Sequence, residues 1–364
     1  MKKVVVAMSG GVDSSVAAAL LKQQGYEVIG MMLRLWSQPG QEDSNRCCTP
    51  ESMALARRVA GTLDIPFYVQ DARQVFREIV VEYFLEGYAA GGTPNPCLAC
   101  NRHIRWEFLL EHALAMGAES MATGHYARRR TTEDGRHTLL AAVDQTKDQS
   151  YVLHVLDQAQ LARALFPVGE YPKTEVRAMA EKLGLPVHKR PDSQDLCFLA
   201  GGGAREFLRQ YLPQEPPGGE IVTRSGRVLG RHQGLPFYTI GQRKGLGLSS
   251  PQPLYVLEKD LARNALVVGR ADELGTHELF AAPVQWTAGT VPDKPFRASV
   301  KIRYTAQAAQ AEVTPLEGGA RVRVCFDTPQ RDITPGQAAV FYDRDLVVGG
   351  GVILQPPVTT QKEK

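Results

Sequence analysis

The sequence predicts an α/β protein: a parallel, doubly wound sheet at the amino end, then a small central domain and a carboxyl-terminal β-barrel. Three observations carry that prediction. The β-branched run Val4-Val5-Val6 leads through Ala7-Met8-Ser9-Gly10-Gly11 into the alanine-rich stretch after Ser15, which reads as buried strand, tight loop and helix start. Strand-like and helix-like stretches then alternate to about residue 125, as βαβ units require. From Pro283 to Leu354 the pattern becomes almost purely β, in short alternating runs split by Pro, Gly and Asp turns.

Taken in order, residues 15–24 form the first helix, Gly25 stops it, and 26–35 returns as an apolar strand. Residues 51–63 read as helix, 66–70 as strand, 72–87 as helix, 104–116 as helix and 120–123 as a short strand. Ligands of such sheets sit beyond the carboxyl ends of the strands, where 9–14, 33–36 and 124–125 should converge. The polar stretch 38–45, closed by Cys47 and Cys48, is expected to be a loop at the mouth of that site. Helices resume over 158–184, and 186–199 leads to Cys197 in extended or loop conformation. Gly201-Gly202-Gly203 marks the end of a first domain over 1–200. A central domain over 201–280 opens with a helix at 205–211 and continues with short β patterns at 234–248 and 254–269. Strands at 297–304, 309–313, 320–326, 337–342 and 346–353 build a barrel over 281–355, and 356–364 is a frayed tail.

With 364 residues, 43% of them hydrophobic, the chain can bury a substantial core. It has no apolar run long enough for a membrane and opens without a signal-peptide pattern, so a cytoplasmic, membrane-free protein is expected. A net charge of +3 is too mild to announce a nucleic-acid partner. Arg128-Arg129-Arg130, 224–231, Arg243-Lys244 and 301–304 are local basic clusters, suited either to a polyanion or to plain surface solvation. Six cysteines without a secretory signal argue for thiol chemistry rather than a disulfide framework.

The loop after the first strand is built for an anion. Gly10 and Gly11 let the backbone approach a phosphate, the following helix start favours negative charge, and Ser9, Ser14 and Ser15 add hydroxyls. Asp13 is placed to cap the helix or to sit near a magnesium ion. A Walker A loop needs a Gly-Lys pair, and the chain contains none. The Ser-Gly-Gly-x-Asp-Ser run instead resembles the PP-loop of ATP pyrophosphatases, whose loop grips departing pyrophosphate.

The second chemical stretch is Thr93-Pro94-Asn95-Pro96-Cys97-Leu98-Ala99-Cys100-Asn101. Its prolines predict an irregular backbone just before a helix, with Cys100 near the helix's amino end, where the dipole favours thiolate. Together with Cys197, this Cys-x-x-Cys fits a thiol relay, a three-cysteine iron–sulfur cluster or buried packing. Zinc fits less well, because a second ligand pair at zinc spacing is missing.

Ordered segments along nearly the whole chain resemble the tRNA-specific 2-thiouridylases of bacteria: Ala-Met-Ser-Gly-Gly-Val-Asp-Ser (7–14), Thr-Pro-Asn-Pro-x-x-x-Cys-Asn (93–101), Ala-Thr-Gly-His-Tyr (122–126), Lys-Asp-Gln-Ser-Tyr (147–151), Phe-Pro-Val-Gly-Glu (166–170), Cys-Phe (197–198), Gly-Gln-Arg-Lys-Gly-Leu-Gly (241–247), Arg-Tyr (303–304) and Thr-Pro-Gly-Gln (334–337). The resemblance implies ATP with Mg2+ on Ala7, Met8, Ser9, Gly10, Gly11, Val12, Asp13, Ser14, Leu33 and Gly124. It implies Cys100 as nucleophile and Cys197 as the persulfide carrier, with Asn95, Pro96 and Cys97 lining the target base. It further implies tRNA contacts at His125, Lys147, Asp148, Gln149, Arg303, Tyr304 and Gln337, a wobble-uridine substrate in lysine, glutamate or glutamine tRNAs, and a donor such as a cysteine desulfurase or persulfide carrier. Cys97 departs from the aspartate many members carry, which keeps a [4Fe-4S] cluster on Cys97, Cys100 and Cys197 as the alternative to a persulfide relay. The basic, glycine-rich loop at 241–247 is expected to touch phosphate or to be a mobile turn.

Overall fold

The computed structural model describes residues 1–40, 49–191, 196–199 and 203–356. Most of the loop expected at 38–45 with Cys47 and Cys48, part of the stretch expected at 186–199, and nearly all of the tail lie outside these residues. β1 (Lys3–Ala7) pairs in parallel with β2 (Glu27–Arg34) on one side and, further along the chain, with β4 (Ser120–Thr123) on the other; β3 (Phe67–Asp71) extends the β2 side. β5 (Ala127–Thr131) and β6 (His137–Ala141) form an antiparallel hairpin, and β7 (Ala164–Leu165) closes the sheet in the order β3-β2-β1-β4-β7. The strand order reverses between β1 and β4, which opens a crevice at their carboxyl ends. Val4, Val5 and Val6 are fully buried, as a central parallel strand covered on both faces requires.

Several helices differ from expectation at their starts. The first runs over Val12–Gln23 and is capped by Gly11 with no side-chain cap, so Asp13 sits inside its first turn. The helix expected at 104–116 begins instead at Pro96. Asn95 caps it, its Oδ1 accepting from the Cys97 amide at 3.1 Å, and Pro96 takes the first helical position. Proline preset for a first turn and an asparagine cap are helix-start signals, so this segment is not an irregular loop. The helix continues through Pro96–Ala99, a π-helical segment Cys100–Leu109 and Leu110–Ala115. The 72–87 helix likewise contains a π turn, Arg77–Val81, between Arg73–Phe76 and Glu82–Ala89.

The central region has a four-stranded sheet of β8 (Gly219–Val222), β9 (Val228–His232), β10 (Tyr255–Asp260) and β11 (Ala265–Gly269), preceded by the helix Gly203–Tyr211. The β pattern expected at 234–248 is not a strand: a 3-10 turn, Leu235–Phe237, is followed by irregular chain in which Gly241, Gly245 and Gly247 take positive φ and break any ladder.

β12 (Thr276–Gln285), β13 (Phe296–Lys301), β14 (Ala309–Leu316), β15 (Arg321–Gln330), β16 (Ala338–Asp343) and β17 (Leu346–Ile353) form the last sheet. β12 pairs with both β15 and β17, which closes six strands into a barrel around Val300, Val313, Val324 and Phe341. The β5–β6 hairpin joins the outside of this barrel through Leu140 and Leu346. One apolar cluster, with Trp106, Leu139, Tyr151, Val340, Tyr342 and Val347, therefore spans the nucleotide sheet's helices and the barrel. The hairpin also settles the Arg128-Arg129-Arg130 cluster: Arg128 pairs with Asp345 at 2.6 Å, Arg129 donates to the Leu161 and Ala162 carbonyls, and Arg130 pairs with Glu170. Those guanidiniums fasten the hairpin. Among the described residues, no helix is long and apolar enough to cross a membrane.

Candidate active site

A cavity of about 620 Å³ lies at the β1–β4 crevice. Its first wall is the loop after β1. Gly10 adopts φ 71°, a conformation only glycine enters at no cost, and the Ser9 amide donates to Ser14 Oγ at 3.2 Å while Ser15 Oγ donates to the Gly11 carbonyl at 2.7 Å. Gly124, just past β4, packs so closely that a Cβ there would lie 2.5 Å from the Ser14 nitrogen. Ala7, Met8, Ser9, Gly11, Val12, Asp13, Ser14, Leu33 and Gly124 all line the cavity. Gly10 stands behind them, its carbonyl accepting from Arg190 Nη1 at 2.7 Å, and Arg190 Nη2 donates to Ser52 Oγ at 2.6 Å. This guanidinium clamps the loop to the helix Pro50–Thr62.

Asp13 neither caps the helix nor stands alone. Its carboxylate accepts from Lys173 Nζ at 2.6 and 2.8 Å and from the Tyr126 hydroxyl at 2.8 Å. Lys173 is buried, lines the cavity and also lies over the Tyr126 ring. It places beside the loop a lysine that residues 7–14 themselves lack, and it is not singled out by the motifs of the sequence. One signal was present: Lys173 opens the helix Lys173–Lys182, where a cation opposes the helix dipole and so calls for another purpose.

The opposite wall is the cysteine helix, which contributes Cys100, Ile104, Arg105 and Leu109. Cys100 is buried in an apolar cluster with Phe76, Phe84, Phe198 and Phe207, and Cys197 packs half-buried against the same cluster. The cavity lining includes Cys100 but not Cys197 or the exposed Cys97. Among the described residues, no three His, Cys, Asp or Glu side chains are grouped to hold a metal ion, so Cys97, Cys100 and Cys197 do not assemble a cluster site here. Asp13 is the one carboxylate among the described lining residues.

Of the remaining implied contacts, His125, Lys147, Gln149 and Tyr304 stand in the cavity lining, and Tyr304, at 40% exposure, is the most open of the aromatic rings there. Burial raises the Tyr304 hydroxyl above its ordinary value, with Asp148 and Cys97 adding to the effect. Several of the implied contacts already hold partners within the protein. Asp148 accepts from the Ala142 and Ser150 amides, Gln149 Oε1 from the Tyr126 amide, and Gln337 Nε2 donates to the Thr93 carbonyl at 2.8 Å. Arg303 pairs with Asp332 at 3.1 Å. Asn95 is a helix cap and Pro96 is buried. His125 is buried with Nε2 3.0 Å from Arg105 and Nδ1 2.8 Å from Thr123 Oγ1, and burial beside Arg105 holds its pKa well below the ordinary imidazole value. It is a neutral ring.

Comparison with known proteins adds three matches along the chain. Residues 2–201 match the tRNA methyl transferase HUP domain, 205–270 the tRNA methyl transferase PRC-barrel domain, and 276–353 the aminomethyltransferase beta-barrel domain. A protein of Roseiflexus castenholzii named tRNA-specific 2-thiouridylase is 49% identical over 97% of this chain and 99% of its own length. Proteins bearing the same name from Caldanaerobacter subterraneus (48% identical, over 96% of this chain and 97% of its own) and Chloroflexus aggregans (47%, over 98% and 100%) are similar over equally long spans.

Proposed function

The chain belongs to the family of tRNA-specific 2-thiouridylases, and from that premise we propose that it thiolates C2 of the wobble uridine of tRNA at the expense of ATP. The carrying observation is that Cys100 and the phosphate loop line one cavity. The matched domain descriptions speak of methyl transfer, but a buried cysteine facing a phosphate loop suits sulfur transfer to an adenylated base.

Uracil O2 is a poor leaving group, so ATP first makes it a good one. O2 bonds to the α-phosphorus as the bond to pyrophosphate breaks, and the loop at Ser9 to Ser14 with Lys173 holds the departing anion. Magnesium brought with the nucleotide would neutralise phosphate charge, with Asp13 the lining carboxylate able to hold it. The uridine reaches this depth by leaving its stack in the anticodon loop, and Tyr304 at the opening offers a ring face to it. A donor protein charges Cys197 as a persulfide. Its terminal sulfur attacks C2 and the C2–O bond breaks, releasing AMP. Cys100 thiolate then attacks the Cys197 sulfur; the Cys100–Cys197 disulfide forms, the thiocarbonyl sulfur leaves with its electron pair, and an external thiol reductant restores both cysteines. Both side chains pack in or against one apolar cluster, which supports reading them as exchange partners. The three-cysteine iron–sulfur alternative does not fit the present arrangement, and no step uses it.

The test combines the full chain with a wobble-uridine tRNA, ATP, magnesium and a persulfide donor. Expected are AMP, pyrophosphate and 2-thiouridine in equal amounts. Failure to release AMP, or release of ADP instead, overturns the reading.

A further inference from the structure

Cys100, Ile104, Arg105 and Leu109 line one cavity, yet an α-helix could not present them together. At about 100° per residue, Arg105 would lie about 140° from Cys100 and Leu109 would point the opposite way. The segment Cys100–Leu109 is π-helical, and a helix closed by i to i+5 bonds turns less per residue, which brings residues five apart onto one side. The winding thus puts a guanidinium on the same cavity wall as Cys100, in the cavity the phosphate loop also lines.

That guanidinium is braced. Its Nη1 donates to Asn101 Oδ1 at 3.2 Å and lies 3.0 Å from His125 Nε2. Arginine has no acceptor, so Nε2 must accept, and the Nδ1 proton is therefore directed at Thr123 Oγ1 at 2.8 Å. Thr123 ends β4, so the chain of contacts runs from a sheet strand through a neutral imidazole to Arg105. Such bracing holds the charge in place before substrate arrives.

We propose that Arg105 is a catalytic residue that binds the α-phosphate through both half-reactions, an inference that rests on the thiolation reading above. In the first half, the α-phosphorus gains the bond to uracil O2 and loses the bond to pyrophosphate. In the second, sulfur bonds to C2 while the C2–O pair departs on AMP. Negative charge on the α-phosphate oxygens grows in both transition states, and a fixed cation binds them more tightly there than in the ground states.

The experiment uses the full chain with tRNA, ATP, magnesium and persulfide donor. Arg105→Gln should slow both pyrophosphate release and thiolation about 100- to 1000-fold while the KM for tRNA changes little. Arg105→Lys should keep part of the rate, and added guanidinium ion should restore part of it to Arg105→Ala but not accelerate wild type. The proposal falls if Arg105→Gln works within about threefold of wild type, or if Arg105→Lys is as slow as Arg105→Gln and guanidinium rescues nothing, the pattern of a merely structural residue. If Arg105→Gln does not fold, the Lys variant and the rescue decide. Should wild type itself release no AMP, the thiolation reading fails; an active wild type with an indifferent Arg105 variant sinks this inference alone.

Discussion

The two walls of the cavity are made in opposite ways. The phosphate wall is nearly continuous in the chain, residues 7–14, and its geometry follows from two glycines, a strand end and a helix start. The cysteine wall is held by two other regions at once, converging on Thr93. Its amide donates to the Pro335 carbonyl at 2.8 Å, its carbonyl accepts from Gln337, and its hydroxyl meets Thr239 Oγ1 at 3.4 Å. Next to it, Lys259 of β10 reaches the Gly92 carbonyl at 3.4 Å. The barrel and the central sheet thus both grip the residues immediately before the cysteine helix. Nucleotide chemistry can rest on a rigid local loop, whereas the sulfur end is tied to the regions expected to hold tRNA.

Breaking either wall should show this difference. The largest effect is expected from Cys100→Ser or Cys197→Ser: thiolation falls more than about 1000-fold while tRNA binding, measured by filter retention, stays near wild type. Normal turnover in either variant removes that residue from the sulfur path. On the phosphate side, Lys173→Ala and Asp13→Ala should each lower pyrophosphate release about 100-fold, and their double variant should cost little more than either alone, because the two groups act as one pair. Additive losses would argue for independent roles.

Gly124→Ala forces a methyl group against the Ser14 backbone and should cost about 1–3 kcal/mol of stability and raise the KM for ATP. Gly61→Ala, with open space at its Cβ in the last turn of the helix Pro50–Thr62, is the control and should stabilise by roughly 0.4–1 kcal/mol. Lys259 sharpens the comparison at the junction. Burial lowers its pKa from 10.5 to about 8, so the unfolded chain binds the proton more tightly. The destabilising cost is therefore complete below pH 8 and fades as pH rises towards 10.5. Lys259→Met should raise Tm at pH 7 and lose that advantage by pH 10.5; a gain independent of pH would assign it to packing. The smallest effect is at the barrel, where Arg303→Ala should weaken tRNA binding and reduce the slope of its salt dependence by about one. An unchanged slope takes this side chain off the interface.

The sequence by itself determined whatever short-range pattern encodes: the buried β1, the phosphate loop and its helix, the alternation of a parallel sheet, and the short strands of a closed barrel. Each of these is written in neighbours two to four residues apart. Even the missed helix start at Asn95-Pro96 was legible, since its cap and first-turn proline are adjacent in the chain. Tertiary structure decided the rest. The pairing of Asp13 with Lys173 spans 160 positions, the β5–β6 hairpin docks on distant β17, and the π winding of Cys100–Leu109 sets which side chains reach the cavity. Local periodicity states which face of an element is buried, but it carries no information on which distant charge or strand will meet that face, because that choice is made by packing of the whole chain.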